Sequence, residues 1–165
     1  MNTNTRLPWM HRAGDYPTTD TEYFELLTRA VMSAGLGPRL VEVRWDAIKA
    51  AFSDFNIEVV ADMTPADSDR LTTDPGIIRN RRKIDATIEN AKTFVRLIEA
   101  KGSFQEALDC FIGDAPLNNL RLQRLADIVS GTFTHLGPTS AAMFLFSCGY
   151  RSTEEWPCTS TPLTS

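Results

Sequence analysis

The chain has 165 residues, 42% of them hydrophobic and 23% charged, with a formal net charge of −4. This is the size of one ordinary domain, able to bury a core without metal or disulfide staples, and its composition excludes a disordered chain. The acidic balance excludes a protein that coats nucleic acid by bulk charge, but not a local basic patch, because screening makes the local field decide contacts. The three cysteines, Cys110, Cys148 and Cys158, form no CxxC pair and are odd in number, which points to a reduced compartment without a disulfide framework. No apolar run reaches the length of a membrane span, and MNTNTRLPWMHR lacks the apolar core of a signal peptide. The expectation is a cytoplasmic monomer with no membrane partner and no cofactor.

Residues 1–19 carry Pro8, Gly14 and Pro17 and read as an irregular arm, with Trp9 and Tyr16 as its candidates for packing down. A single helical domain is expected over 20–156, followed by a flexible polar tail at 157–165. The run from Asp20 repeats Phe24, Leu27 and Val31 at helical spacing, with Asp20 as candidate cap and Gly35 as stop. After the GLGP break at 35–38, a second helix is expected with Leu40, Val43, Ala47, Ile48 and Phe52 on one side. Short helices fit 56–62 and 65–72, the latter with Thr64 as cap and Pro65 at its first position. A long helix covers roughly 80–100 with Ile84, Ile88, Ala91, Val95 and Ile98 as its apolar line. Shorter helices follow at 104–112, 119–130 and 139–149. No segment alternates with period two, so the fold class is all-α, with seven or eight helices.

Two features carry chemistry. Four of the five residues 79–83 are basic, immediately before an apolar-periodic stretch. Either Asp74 or Asn80 can cap the helix they enter. If Asn80 does, Arg81, Arg82 and Lys83 fill a first turn whose dipole they oppose, which makes sense where an anion sits at that end. The plainer alternative is a solvated basic turn answered by Asp74, Asp85 and Glu89. The second feature is HLGPTSAAMF, a Gly-containing turn between two helices whose backbone N–H groups can hold a DNA phosphate in the manner of a helix-hairpin-helix element.

DPGIIRNRRKIDATIENAKTF, GSFQEALDCFIG, RLPWM, FELLTRAVMSAGL and FTHLGPTSAAMFLFSCG resemble blocks of bacterial DNA-3-methyladenine glycosylase I across nearly the whole domain, GIIRNRRKI being the most specific part. The resemblance implies a helix-hairpin-helix DNA glycosylase fold, duplex DNA as partner, and hydrolysis of the N-glycosidic bond of a flipped alkylated base in base excision repair. It implies DNA contacts at Arg79, Arg81 and Lys83, a wedge at Ala34, Gly35 and Leu36, and a phosphate-binding hairpin at Leu136, Gly137, Pro138 and Thr139. It places the base pocket at Ala30, Pro38 and Tyr16.

The departures from the family are concentrated there. The family's base-reading Glu falls on Ala30, which has no acceptor, and a pocket aromatic falls on Pro38. Tyr16 is the remnant of a longer pocket segment. The structural zinc set falls on Leu7, Glu154 and Cys158, with His11 as a substitute ligand, so no metal is expected and both termini should be looser. No catalytic residue is assigned; Glu154, Glu155 and His135 are more ordinary as surface or structural groups. Three readings stand: a divergent glycosylase, a DNA-binding relative without catalysis, or a helical interaction domain.

Overall fold

A computed structural model gives the structure of residues 7–154; Glu155, Cys158 and the expected 157–165 tail lie outside the described residues. Every regular element among these residues is helical: α1 Asp20–Ser33, α2 Pro38–Val43, α3 Trp45–Ala51, α4 Ile57–Ala61, α5 Pro65–Thr73, α6 Arg81–Lys101, α7 Phe104–Ile112, α8 Asn119–Thr132 and α9 Pro138–Ser147. A single 3-10 turn, Ser53–Phe55, links α3 to α4. The all-α class is as expected.

Helix α1 is apolar on most of its circumference, with Phe24, Leu27 and Val31 fully buried, and such a helix must be enclosed. It packs against α2, α6, α7 and α9. Its cap is Thr19, whose hydroxyl accepts from Glu22 N–H at 3.2 Å, rather than Asp20. Asp20 instead accepts the Phe104 N–H at 2.7 Å and ties α1 to the start of α7.

The single helix expected after the GLGP break is two. The backbone turns at Arg44 (φ −106°, ψ 4°), whose guanidinium donates to the carbonyl of Pro75 at 3.1 Å. The turn separates two faces: Leu40 and Val43 stay exposed, while Val41, Trp45, Ile48 and Phe52 enter the core. Ser53, Asp54 and Phe55 then all adopt positive φ, a strained arrangement for side-chain-bearing residues. The fully buried Phe55 ring offsets that strain by stacking on Trp45 at 5.2 Å and meeting Phe24 edge-on.

Helix α6 starts at Asn80, whose side chain accepts from Lys83 N–H at 3.3 Å; Asp74 closes its own turn by accepting Gly76 N–H at 2.8 Å. Ile84, Ile88 and Ala91 are buried and Val95 and Ile98 pack at the core's margin. Phe94 joins Phe24, Phe104 and Phe133 at ring separations of 5.3, 4.3 and 5.3 Å.

Helix α5 carries a capping box: Thr64 Oγ1 accepts Asp67 N–H at 3.4 Å, and the Asp67 carboxylate accepts Thr64 N–H at 2.8 Å. The Thr64 backbone bond, then its hydroxyl, holds the Asp67 carboxyl below its ordinary range. Thr64→Ala is expected to cost about 1 kcal/mol, read as a lower midpoint in thermal unfolding. Because the folded Asp67 pKa is depressed, its contribution is full above the unfolded carboxylate range and fades as pH falls through the lowered value.

Residues 7–19 carry no regular element, and they are tied down. His11 N–H donates to Ser147 O at 2.9 Å, Gly14 N–H to Gly149 O at 3.0 Å, and Tyr16 stacks on Tyr150 at 4.5 Å. These contacts sew the arm onto the end of α9 by its own backbone.

Candidate nucleic-acid interface

The basic run divides by direction. Arg79 and Arg82 are exposed, and among the described residues neither forms an ion pair. Arg81 is bound to the carboxylates of Asp69 and Asp85, the latter at 3.0 Å, so its charge is largely answered within the protein. These two carboxylates hold the Arg81 guanidinium above its ordinary pKa.

Lys83 corrects the expectation of a surface cation. It is 3% exposed, and its Nζ donates to Met32 O at 2.7 Å and Ala34 O at 2.5 Å. Burial pushes this amine down from the ordinary lysine range. Its two bonds fall on the C-terminal end of α1, where a cation complements the helix dipole. A side chain in this position has no reach to a DNA phosphate.

Immediately beyond those carbonyls the chain makes a tight exposed turn. Gly35 and Gly37 take φ of +75° and +82°, and Leu36 between them is 42% exposed. Leu36 and Gly37 both donate to Ser33 O, at 3.0 and 2.9 Å, which fixes the loop on the helix end. The loop presents one apolar side chain at its tip.

The hairpin lies between α8 and α9. Its turn is held from α6 by Asn90, 1% exposed, which donates Nδ2 to Thr134 O at 3.1 Å and accepts Thr134 N–H at 2.8 Å. Ser130 Oγ donates to Leu136 O at 2.8 Å. His135 is exposed at a φ of +59°. Gly137 precedes Pro138 at the start of α9, and no side chain caps that helix. Pro138 has no N–H, so the backbone donors of this end are those of exposed Gly137 and of Thr139 onward.

The three candidate pocket residues have different surroundings. Ala30 is 5% exposed and part of the core, while Pro38 is exposed at the start of α2. Tyr16 stacks on Tyr150, whose hydroxyl is 3.1 Å from that of Tyr23, seven residues before Ala30 on α1. Burial raises both phenols above the ordinary tyrosine range, so this pair stays neutral.

Next to Ala30, Arg29 organises a group of side chains that sequence reasoning missed. Its guanidinium lies between the rings of Trp9, at 4.4 Å, and Trp45, at 3.9 Å. Nη1 donates to Glu42 at 2.6 Å, Trp9 Nε1 donates to the same oxygen at 2.7 Å, and Trp45 Nε1 donates to Glu25 at 2.8 Å. Desolvation draws the Arg29 pKa down and Glu42 works against it. The available signal was the i,i+4 pair Glu25 and Arg29, with Trp9 in the arm. Asn90 was also missed; an Asn inside a long helix, where its side chain competes with the backbone, is a signal that it bonds elsewhere.

The residues at the family's zinc positions do not fit a four-ligand site. Leu7 offers no donor atom, and the Glu154 carboxylate accepts the Asn119 N–H at the start of α8 at 3.2 Å. Among the described residues no three His, Cys, Asp or Glu side chains gather as a metal site, and no helix is long and apolar enough to cross a membrane.

Over residues 14–160 the chain matches the family model described as methyladenine glycosylase. The DNA-3-methyladenine glycosylase 1 of Escherichia coli K12 is 28% identical over 148 residues, covering 81% of this chain and 79% of that protein. The DNA-3-methyladenine glycosylase of Haemophilus influenzae is 27% identical over 126 residues, covering 70% and 68%. A solved 3-methyladenine DNA glycosylase I from Staphylococcus aureus superposes with a TM-score of 0.76 at 27% identity, covering 98% of this chain and 95% of that one. The turn between α8 and α9, the Gly35–Gly37 loop and the long helix thus sit in a fold shared over almost the full length, and the chain belongs to the methyladenine glycosylase family.

Proposed function

We propose that this protein is a divergent DNA glycosylase that binds duplex DNA as a cytoplasmic monomer and hydrolyses the N-glycosidic bond of an alkylated base. The observation that carries the reading is the hairpin, an uncapped helix start at Gly137–Pro138 fastened to α6 by both amide atoms of Asn90. Backbone donors at such a helix end suit a phosphate. Arg79 and Arg82 add exposed positive charge, and Leu36 supplies the apolar tip that fills the gap left by a flipped base. Flipping costs a few kcal/mol, least for a damaged base. A cationic adduct such as 3-methyladenine is a good leaving group, so a pocket that stacks and excludes water suffices without a strong acid.

A second reading is favoured by one feature. Ala30 brings no acceptor, and the nearby carboxylates of Glu25 and Glu42 are engaged by Arg29, Trp9, Trp45 and Lys49. A protein with the DNA-holding parts and no base reader would bind without excising.

Two measurements separate these. Release of 3-methyladenine from alkylated duplex DNA above the buffer rate is the expected result; salt-dependent binding without release selects the second reading. Gly137→Ala tests the hairpin: an added Cβ meets nothing within 4 Å and φ is −70°, so the fold should be unaffected. The methyl group stands where a phosphate would approach, and duplex affinity should fall roughly tenfold, the worth of one or two hydrogen bonds. Arg79→Ala should lower the salt slope by about 1. No DNA binding at low salt by the unaltered protein would leave only a helical interaction domain.

A further inference from the structure

We infer that α6 is a spacer that sets the wedge loop and the hairpin in register, with Lys83 and Asn90 as its two positioning residues. This rests on the DNA-binding reading above and goes beyond it by giving each element its own anchor. Lys83, Thr87 and Asn90 are 3%, 1% and 1% exposed and follow one another at spacings of four and three, so they form a buried polar line on one face of α6. Thr87 turns its hydroxyl back to Lys83 O at 2.9 Å, within the helix. The two ends of the line reach outward to different elements. Lys83 binds Met32 O and Ala34 O, the carbonyls that precede Gly35 and Leu36. Asn90 binds both backbone polar groups of Thr134 in the hairpin turn. Seven residues of α-helix separate them by about 10 Å, a distance a single rigid helix holds constant.

The chemistry at each end is not what core filling requires. A buried ammonium is costly unless fully bonded, and among the described residues no carboxylate lies within ion-pair distance of Lys83. Carbonyls can only accept, so both bonds hold Nζ as a donor. What Lys83 specifies is the course of the chain as it leaves α1, and so the direction in which Leu36 points. Asn90 likewise fixes the hairpin through paired bonds of opposite polarity, which no apolar residue of the same size can make.

Separate anchors predict separable losses. The experiment measures binding of the full chain to an intact duplex and to the same duplex with a tetrahydrofuran abasic analogue, whose gap the wedge can fill. The unaltered protein should prefer the abasic duplex. Lys83→Met keeps the apolar stem and should hold intact-duplex affinity while losing roughly tenfold of that preference, the worth of a well-placed apolar contact. Asn90→Leu should lower affinity for both duplexes by a similar factor and keep the preference. Urea unfolding accompanies each variant, and Lys83→Gln, whose amide N–H groups sit one bond short of the ammonium, replaces Lys83→Met if the latter does not fold. The inference is overturned if the folded Lys83 variant keeps the full preference, or if both variants lose affinity for both duplexes equally. Failure of the unaltered protein to bind either duplex overturns the DNA-binding reading itself, and with it the spacer. Binding without any preference removes the wedge, and again the spacer, while leaving the hairpin reading in place.

Discussion

Arg29→Ala is expected to destabilise the protein by about 3 kcal/mol, the scale of a broken, mostly buried ion pair. The side chain is 7% exposed, between two indole rings and against Glu42 and Glu25. Its removal opens a slot between Trp9 and Trp45 and leaves Glu42 to Trp9 alone. Glu42 is 45% exposed and can take up water, which keeps the loss below that of a fully enclosed pair. Arg29→Lys separates charge from shape. An ammonium retains the charge but not the planar stack between two rings, so it should recover less than half of the loss. The measurement is equilibrium urea unfolding followed by tryptophan emission, which reports directly because two of the three tryptophans touch Arg29. A change below about 1 kcal/mol, the range of a surface pair, would show that the stack contributes only contact.

The same group of residues shows where sequence reading stopped. The period of α1, the Thr64 cap of α5 and the apolar line of α6 are local patterns, and they were legible because each is decided by residues within one or two turns. So was the start of α9, because Gly137, Pro138 and the small residues after them mark a helix start, although the Asn90 bonds that hold the preceding turn were not. The break at Arg44 was not legible: it is fixed by the Pro75 carbonyl, 31 residues away in sequence. Lys83 was misread because its charge suggested solvent, although its position suggested the opposite. It falls on the line of Thr87, Asn90 and Phe94, at spacings of four, three and four, which is the buried face of α6. Where residue type and helical position disagree, the disagreement marks a polar group with a buried partner. Arg29 obeys the same rule, lying on a helix whose neighbours Leu26, Leu27 and Ala30 are all buried. The candidate pocket was the least legible part, since its expected members came from a resemblance and the nearby side chains that the structure brings together, Trp9, Arg29, Glu42 and Trp45, lie on four separate segments.

Gly149→Ala is expected to cost about 3 kcal/mol and to act through the N-terminal arm. Gly149 has a φ of +90°, which a side-chain-bearing residue adopts only under strain. An added Cβ would stand 2.5 Å from Arg12 O and 2.7 Å from Asp15 O. These are backbone atoms of a segment held by the Gly14 N–H bond to Gly149 O and by the Tyr16–Tyr150 stack, so they cannot swing aside as the end of a flexible side chain would. Strain at such a φ is worth about 1–3 kcal/mol and overpacking a similar amount, and the sum is limited by the alternative of releasing the arm. That limit gives the substitution two distinguishable outcomes. If the arm stays, global stability falls and the unfolding transition remains single. If the arm lifts, residues 7–16 become open to protease before the core unfolds, and Trp9 leaves Arg29, which shifts tryptophan emission to the red under native conditions. Gly137→Ala, with open space around its added methyl, is the matched control and should do neither. An unchanged midpoint together with an unchanged protease pattern in Gly149→Ala would mean that the arm is not held against α9 as the backbone bonds indicate.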